Sequence, residues 1–277
     1  MDFMGRLSEV AEAPEVKRES SGGFSREALE KFDKLMGDDK IFSETGHPAA
    51  QLHSEVIQSD LGENESSKER MENNETAENK NVTKELTQDE INEKQKQAIK
   101  EAFTRIVRGE QLADAEKGNL GEMLMDQYYI SQGYMPIHHP RVTDLEHKSG
   151  QGIDGVYEKT NPDGTQFYVI ADAKVNYARL SKGLADGTDQ MSDVWIDKRL
   201  DNAVGKEKAD EIRDAYEDAP GSVSKEVYHY SYGDSGDGTS SADISTVDEN
   251  GNLNQDKEVV QIFDKYGKQI DGGKRND

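Results

Sequence analysis

Gly150–Tyr177, GQGIDGVYEKTNPDGTQFYVIADAKVNY, is the stretch on which the fold turns. Gly152–Tyr157 and Phe167–Val175 are apolar, β-rich segments, and Asn161-Pro162-Asp163-Gly164 between them has turn chemistry: proline fixes φ and glycine accepts φ > 0. The pattern predicts a β-hairpin. Along the second strand the two-residue period puts Tyr168, Ile170, Asp172 and Lys174 on one face and Phe167, Val169, Ala171 and Ala173 on the other. Position 163, in the turn, is midway between 154 and 172, so a symmetric hairpin sets Asp154 opposite Asp172. Side chains so opposed have Cβ atoms roughly 5 Å apart, and like charges there repel. A hard divalent cation between them would remove that repulsion, since magnesium takes carboxylate and carbonyl oxygens and keeps positions for water. Lys174, two residues on, is placed to hold or deprotonate such a water. An isolated D-x-K tripeptide is usually a solvated surface pattern; the preceding apolar run and the aspartate across the turn give this one weight.

Composition bounds the rest. Of 277 residues 32% are hydrophobic and 33% charged, with a mean hydropathy of -0.95, which is too polar for one core to span the whole chain. The formal charge is -23, divided between residues 1–90 (22 acidic, 11 basic) and the remainder (35 acidic, 23 basic). This weakens any picture of attraction to nucleic acid by the overall field and puts the weight of phosphate binding on a metal and local cations. No cysteine is present, which removes disulfides, zinc thiolates and thiol nucleophiles. No stretch approaches the roughly 20 apolar residues of a membrane helix, and the first residues lack the apolar core of a signal peptide.

Residues 1–86 read as a flexible, mostly disordered leader, with one short amphipathic helix at Ser25–Met36 and a linker of Glu, Asn, Ser, Lys and Thr at Ser59–Lys84. Order is expected over residues 87–277, with a core at about 119–232 and a β-rich extension at 233–277. Thr87-x-x-Glu90 is a capping box ahead of Ile91, Ala98, Ile99, Ala102, Phe103, Ile106 and Val107, a long amphipathic helix closing at Gly109. Asn119–Gln132 is a second helix, ended by Gly133; Leu120, Leu124 and Tyr128 form its core stripe, while Glu122 shares a face with Asp126 and Tyr129 and could reach the hairpin as a further ligand. His138, His139 and His147 lie in the connection and read as loop or substrate contacts rather than metal ligands. Beyond the hairpin, Ala178–Gly187 is a polar loop carrying Arg179 and Lys182, and Thr188 is positioned to cap a helix to about Ala203. Gln190 falls in that helix's first turn, where the positive end favours phosphate, and Met191, Val194 and Trp195 make its buried stripe. Lys174–Lys208 carries seven basic and six acidic residues, nearly neutral within an acidic protein. A helix at Glu207–Glu217 and strands at Glu226–Tyr232 and Glu258–Phe263 complete the pattern, with turns at Asn250-Gly251 and Tyr266-Gly267.

Glu122 on a helix, Gly152-Ile153-Asp154, then Ala171-Asp172-Ala173-Lys174, resemble the active site of the restriction-endonuclease-like nucleases, the PD-(D/E)xK superfamily. Asp189–Leu200, DQMSDVWIDKRL, is similar to the segment after the lysine in nuclease toxins at the C-termini of bacterial contact-dependent and other polymorphic toxins. The resemblance covers roughly Asn119–Ala203; no proline precedes the first aspartate, and the acidity is unusual for a nuclease. It implies an α/β (α+β) fold, a mixed sheet flanked by helices, with Asp154 and Asp172 binding magnesium or manganese, the Ala173 carbonyl assisting and Glu122 as a fourth member. Lys174 would position the water, and Gln190, with Arg179 and Lys182 nearby, would bind substrate. The function so implied is hydrolysis of DNA phosphodiesters in competing bacteria, by a toxin delivered to the recipient cytoplasm and held inactive in the producer by a cognate immunity protein. RNA, including tRNA, is the alternative substrate; a phage- or plasmid-encoded interaction protein without enzymatic activity is the alternative role.

Overall fold

A computed structural model describes residues 86–148, 150, 152–233 and 238–271. The leader helix expected at Ser25–Met36 and the linker at Ser59–Lys84 lie outside the described residues.

The capping box at Thr87 forms: Thr87 Oγ1 accepts from Glu90 N at 3.2 Å, and Glu90 Oε2 accepts from Thr87 N at 2.8 Å. It opens α1 (Gln88–Val107), whose buried stripe is Ala98, Ile99, Ala102, Phe103 and Val107. The second helix, α2 (Asp114–Ser131), begins five residues before its expected start, because Glu116 Oε2 accepts the orphan N–H of Ala113 at 2.7 Å. Unlike α1 it is buried nearly all round from Asn119 to Tyr129. The face that carries Glu122 is therefore inside, with Asp126 and Tyr129 withdrawn from water and Glu122 partly so.

Among the described residues seven strands follow one another in a single mixed sheet: β1 (Met135–Pro136), β2 (Gly155–Thr160), β3 (Gln166–Val175), β4 (Val223–Ser231), β5 (Ser240–Val247), β6 (Leu253–Phe263) and β7 (Gln269–Asp271). All neighbours are antiparallel except β3 and β4, which run parallel. A parallel pair needs a long crossover, and here it carries α3 (Asp193–Val204) and α4 (Lys206–Asp218). The strands beyond residue 233 extend the sheet.

The sheet's two faces serve two cores. One joins Phe103, Leu124 and Tyr128 from α1 and α2 to Val169, Ala171, Tyr228, Tyr230 and Phe263; the other joins Trp195, Leu200 and Ile212 from α3 and α4 to Val156, Tyr168, Ile170 and Val227. This division follows the alternation read from β3. Among the described residues no helix is long and apolar enough to cross a membrane.

Candidate active site

The hairpin register is the one anticipated: Gly155 faces Ala171, Val156 faces Ile170 and Thr160 faces Gln166, all centred on residue 163. The turn closes through Gly164 N donating to Asn161 O at 2.9 Å, with Gly164 at φ +88°. The first strand starts at Gly155 rather than Gly152, which leaves Asp154 just ahead of it. From there Asp154 Oδ2 accepts from Ala173 N at 3.0 Å, so the aspartate reaches the strand next to Asp172.

Asp172 is fully buried. Gln190 Nε2 donates to its Oδ1 at 2.5 Å, while Oδ2 meets the Lys174 ammonium at 2.5 Å without the alignment of a hydrogen bond. The same ammonium lies 3.4 Å from the Ala173 carbonyl oxygen. Burial raises the Asp172 carboxyl above the usual range, against the pull of Lys174. Asp154 is raised further, by burial first and then by the charges of Asp172 and Glu122.

Glu122 comes to this cluster from α2. A side chain at Gly121 would meet Val175 Cγ2 at 2.7 Å and Ala173 Cβ at 3.6 Å, so glycine lets the helix lie directly on the end of β3. The Glu122 pKa is pushed up to about 8, by burial first, then by Asp126 and Asp172, with Lys174 opposing. Asp126, one turn on, points instead into a buried network: Oδ2 accepts from Arg141 Nε at 2.8 Å and Gln95 Nε2 at 2.6 Å, and Oδ1 from Tyr157 Oη at 2.7 Å. His138 belongs to this network, its ring against Tyr157 and the Val156 backbone. Its burial lowers its pKa.

Loop 176–192 supplies the last wall, and its junction with the next helix departs from expectation. The helix cap is Ser192, whose Oγ accepts from Trp195 N at 3.3 Å, while the Thr188 hydroxyl donates to Asp186. Gln190 thus lies ahead of the helix, not in its first turn; its N donates to Ser181 O and its Oε1 accepts from Ser181 N. Met191 and Trp195 are buried, but Val194 is exposed. Lys182 braces the loop, donating to Gly251 O at 2.9 Å and Asn252 Oδ1 at 3.0 Å. Gly251, at φ +78°, packs so closely on the Gln190 carbonyl that a Cβ there would lie 2.5 Å from it. Arg179 is exposed and has no ion pair among the described residues.

Two contributors escaped the sequence reading. Asn176, at φ +54°, ends β3: its N donates to Tyr230 O, its Oδ1 accepts from Tyr232 N, and its carbonyl accepts from His229 Nε2. An asparagine directly after an apolar strand is the available signal, since it tolerates the left-handed region. Gly121, inside a helix and next to the candidate glutamate, is the other.

The donors present are carboxylates and a carbonyl, the oxygen set that hard divalent cations take, and a buried carboxylate oxygen without a hydrogen bond lies among them. Among the described residues, however, no three His, Cys, Asp or Glu side chains are drawn together tightly enough to hold an ion as they stand. The chemistry fits a cation, with side-chain adjustment needed to close on it. Neither protein-family models, curated proteins nor solved structures give a match to this chain.

Proposed function

We propose that Asp154, Asp172, Ala173 and Glu122 hold magnesium or manganese in a nuclease that hydrolyses DNA phosphodiester bonds. The observation that carries this reading is the fully buried Asp172, set beside Asp154 and within the field of Glu122, with one ammonium to offset the group. Buried charges are costly unless matched, and unmatched carboxyls with raised pKa values are characteristic of functional sites. When bound, the cation would supply Lewis-acid stabilisation and a nucleophilic water at neutral pH.

The chain's own residues have distinct parts. Asp154 and Asp172 bind through oxygen, and Gln190 fixes the Asp172 carboxylate through Oδ1. Lys174 orients the attacking water and stabilises developing negative charge. Arg179, exposed at the rim, meets the phosphate backbone. The wider role, a toxin delivered into competing bacteria and restrained by an immunity protein, is supported by the resemblance of Asn119–Ala203 to polymorphic toxin nucleases.

The test is to incubate the full chain and Asp172→Asn with plasmid DNA and with tRNA, each with magnesium or a chelator. Magnesium-dependent nicking of DNA by the wild type alone is expected. Cleavage indifferent to chelator and substitution would remove the metal mechanism. Cleavage of tRNA alone would change the substrate to RNA, and cleavage of neither would favour a non-enzymatic interaction protein.

A further inference from the structure

A lysine on a strand normally extends its long side chain toward solvent, yet Lys174 folds back along its own strand. Its ammonium lies 2.5 Å from Asp172 Oδ2 and 3.4 Å from the Ala173 carbonyl oxygen, and its side chain is only 13% exposed. These two oxygens belong to the donor set assigned to the cation. Asp172 Oδ2 is buried and accepts no aligned hydrogen bond, although its other oxygen is held by Gln190. The contact is thus a charge contact that satisfies Coulomb attraction but leaves the lone pair undirected.

We infer that the Lys174 ammonium sits in the seat of the divalent cation, so that cation entry at Asp172 and the Ala173 carbonyl must turn the lysine out toward substrate. This rests on the metal-dependent reading of the site. The lysine is then a tethered counter-ion: it neutralises Asp172 before the metal arrives, competes with it for the same two oxygens, and reaches the reacting phosphate only once displaced. One side chain thereby couples loading of the site to assembly of its catalytic geometry. Removal of the ammonium leaves Asp172 Oδ2 open to the cation, and a partly buried unit charge at contact distance is worth enough to shift affinity by at least about tenfold.

The experiment uses the full chain and manganese chloride as the probe. Binding is measured by calorimetry for wild type, Lys174→Met and Asp172→Asn, with circular dichroism confirming that each is folded. In parallel, acetylation of the wild-type Lys174 amine by acetic anhydride is followed by mass spectrometry with and without manganese, which requires no variant. Lys174→Met is expected to bind at least about tenfold more tightly than wild type, and Asp172→Asn to lose binding. Acetylation of wild-type Lys174 should accelerate severalfold when manganese is added. Equal or weaker binding by Lys174→Met, or Lys174 labelling that is unchanged or slowed by manganese, would overturn the inference. Manganese that frees Lys174 without cleavage of any polymer would sustain it while removing the nuclease reading; metal-dependent cleavage with Lys174 unmoved would do the reverse.

Discussion

Glu122 and Asp126 stand one turn apart on α2, both withdrawn from water, but only Asp126 has a cation paired to it: Arg141 Nε lies 2.8 Å from its Oδ2. No hydrogen bond or ion pair reaches the Glu122 carboxyl among the described residues, and its pKa is pushed up to about 8. A carboxyl whose folded pKa exceeds its unfolded value of 4.5 favours the fold while protonated. The unfolded chain releases this proton first, so the stability it lends is complete below pH 4.5 and is lost as pH rises toward 8. Asp154 and Asp172 act in the same direction. Thermal unfolding in chelator should therefore give a melting temperature that falls between pH 5 and 8, with a shallower fall for Glu122→Gln. A melting temperature that rises with pH over this window in both proteins would contradict the assignment.

Arg141 is the counterpart case. It also donates to Gln88, Asn92 and Gln95, joining the start of α1 to α2 and the loop before β2. Arg141→Met should cost about 3–5 kcal/mol, because it strands a buried Asp126. Asp126→Asn with Arg141→Met should recover part of the loss, measurable by urea denaturation; a double variant less stable than Arg141→Met would refute the pairing.

Gln190 hydrogen-bonds to Asp172 and Ser181 and belongs to neither hydrophobic core. Its loss should spare the fold and disturb the carboxylate. If the proposed metal-dependent function holds, Gln190→Ala is expected to lower nuclease activity about 10–100-fold, the range for a residue that orients a metal ligand, with little change in melting temperature. Wild-type turnover in Gln190→Ala would show that the latch is dispensable.

Gly121→Ala brings a methyl group to 2.7 Å from Val175 Cγ2, a branched side chain on the sheet that cannot swing clear. A cost of about 1–3 kcal/mol is expected from overpacking, together with reduced activity as α2 lifts Glu122 from β3. Val175→Ala in the same chain should relieve both; no cost for the single substitution would mean that α2 tolerates a wider spacing.

What the sequence disclosed was local. The hairpin register was legible because one turn, Asn161–Gly164, sets the pairing of all six residues on each side, and the Thr87 capping box announces α1 within four residues. The burial of Glu122 was not legible, since α2 is covered from several sides by segments distant in sequence. Ser192 and Thr188 are chemically equivalent caps, and only Asp186, which engages the Thr188 hydroxyl, decides between them. The brace from Lys182 to the β5–β6 turn spans 69 positions, beyond any periodicity. β5 is short and rich in serine, aspartate and threonine, and owes its place to neighbours on both sides.

The parallel pairing of β3 with β4 also sets an order of events. The β2–β3 hairpin closes over a few residues, whereas Tyr168 finds Val223 only after the intervening crossover has been laid down. Asp154 and Asp172 can meet early, in water, where their repulsion is screened; dehydration comes later, as the crossover helices and the Gln190 loop settle. Substitutions in the Asn161–Gly164 turn should then mainly slow folding, which the folding limb of a chevron plot would show. The partly folded chain keeps its acidic pair hydrated, and the energetic cost of the site is met only when the rest of the molecule is in place.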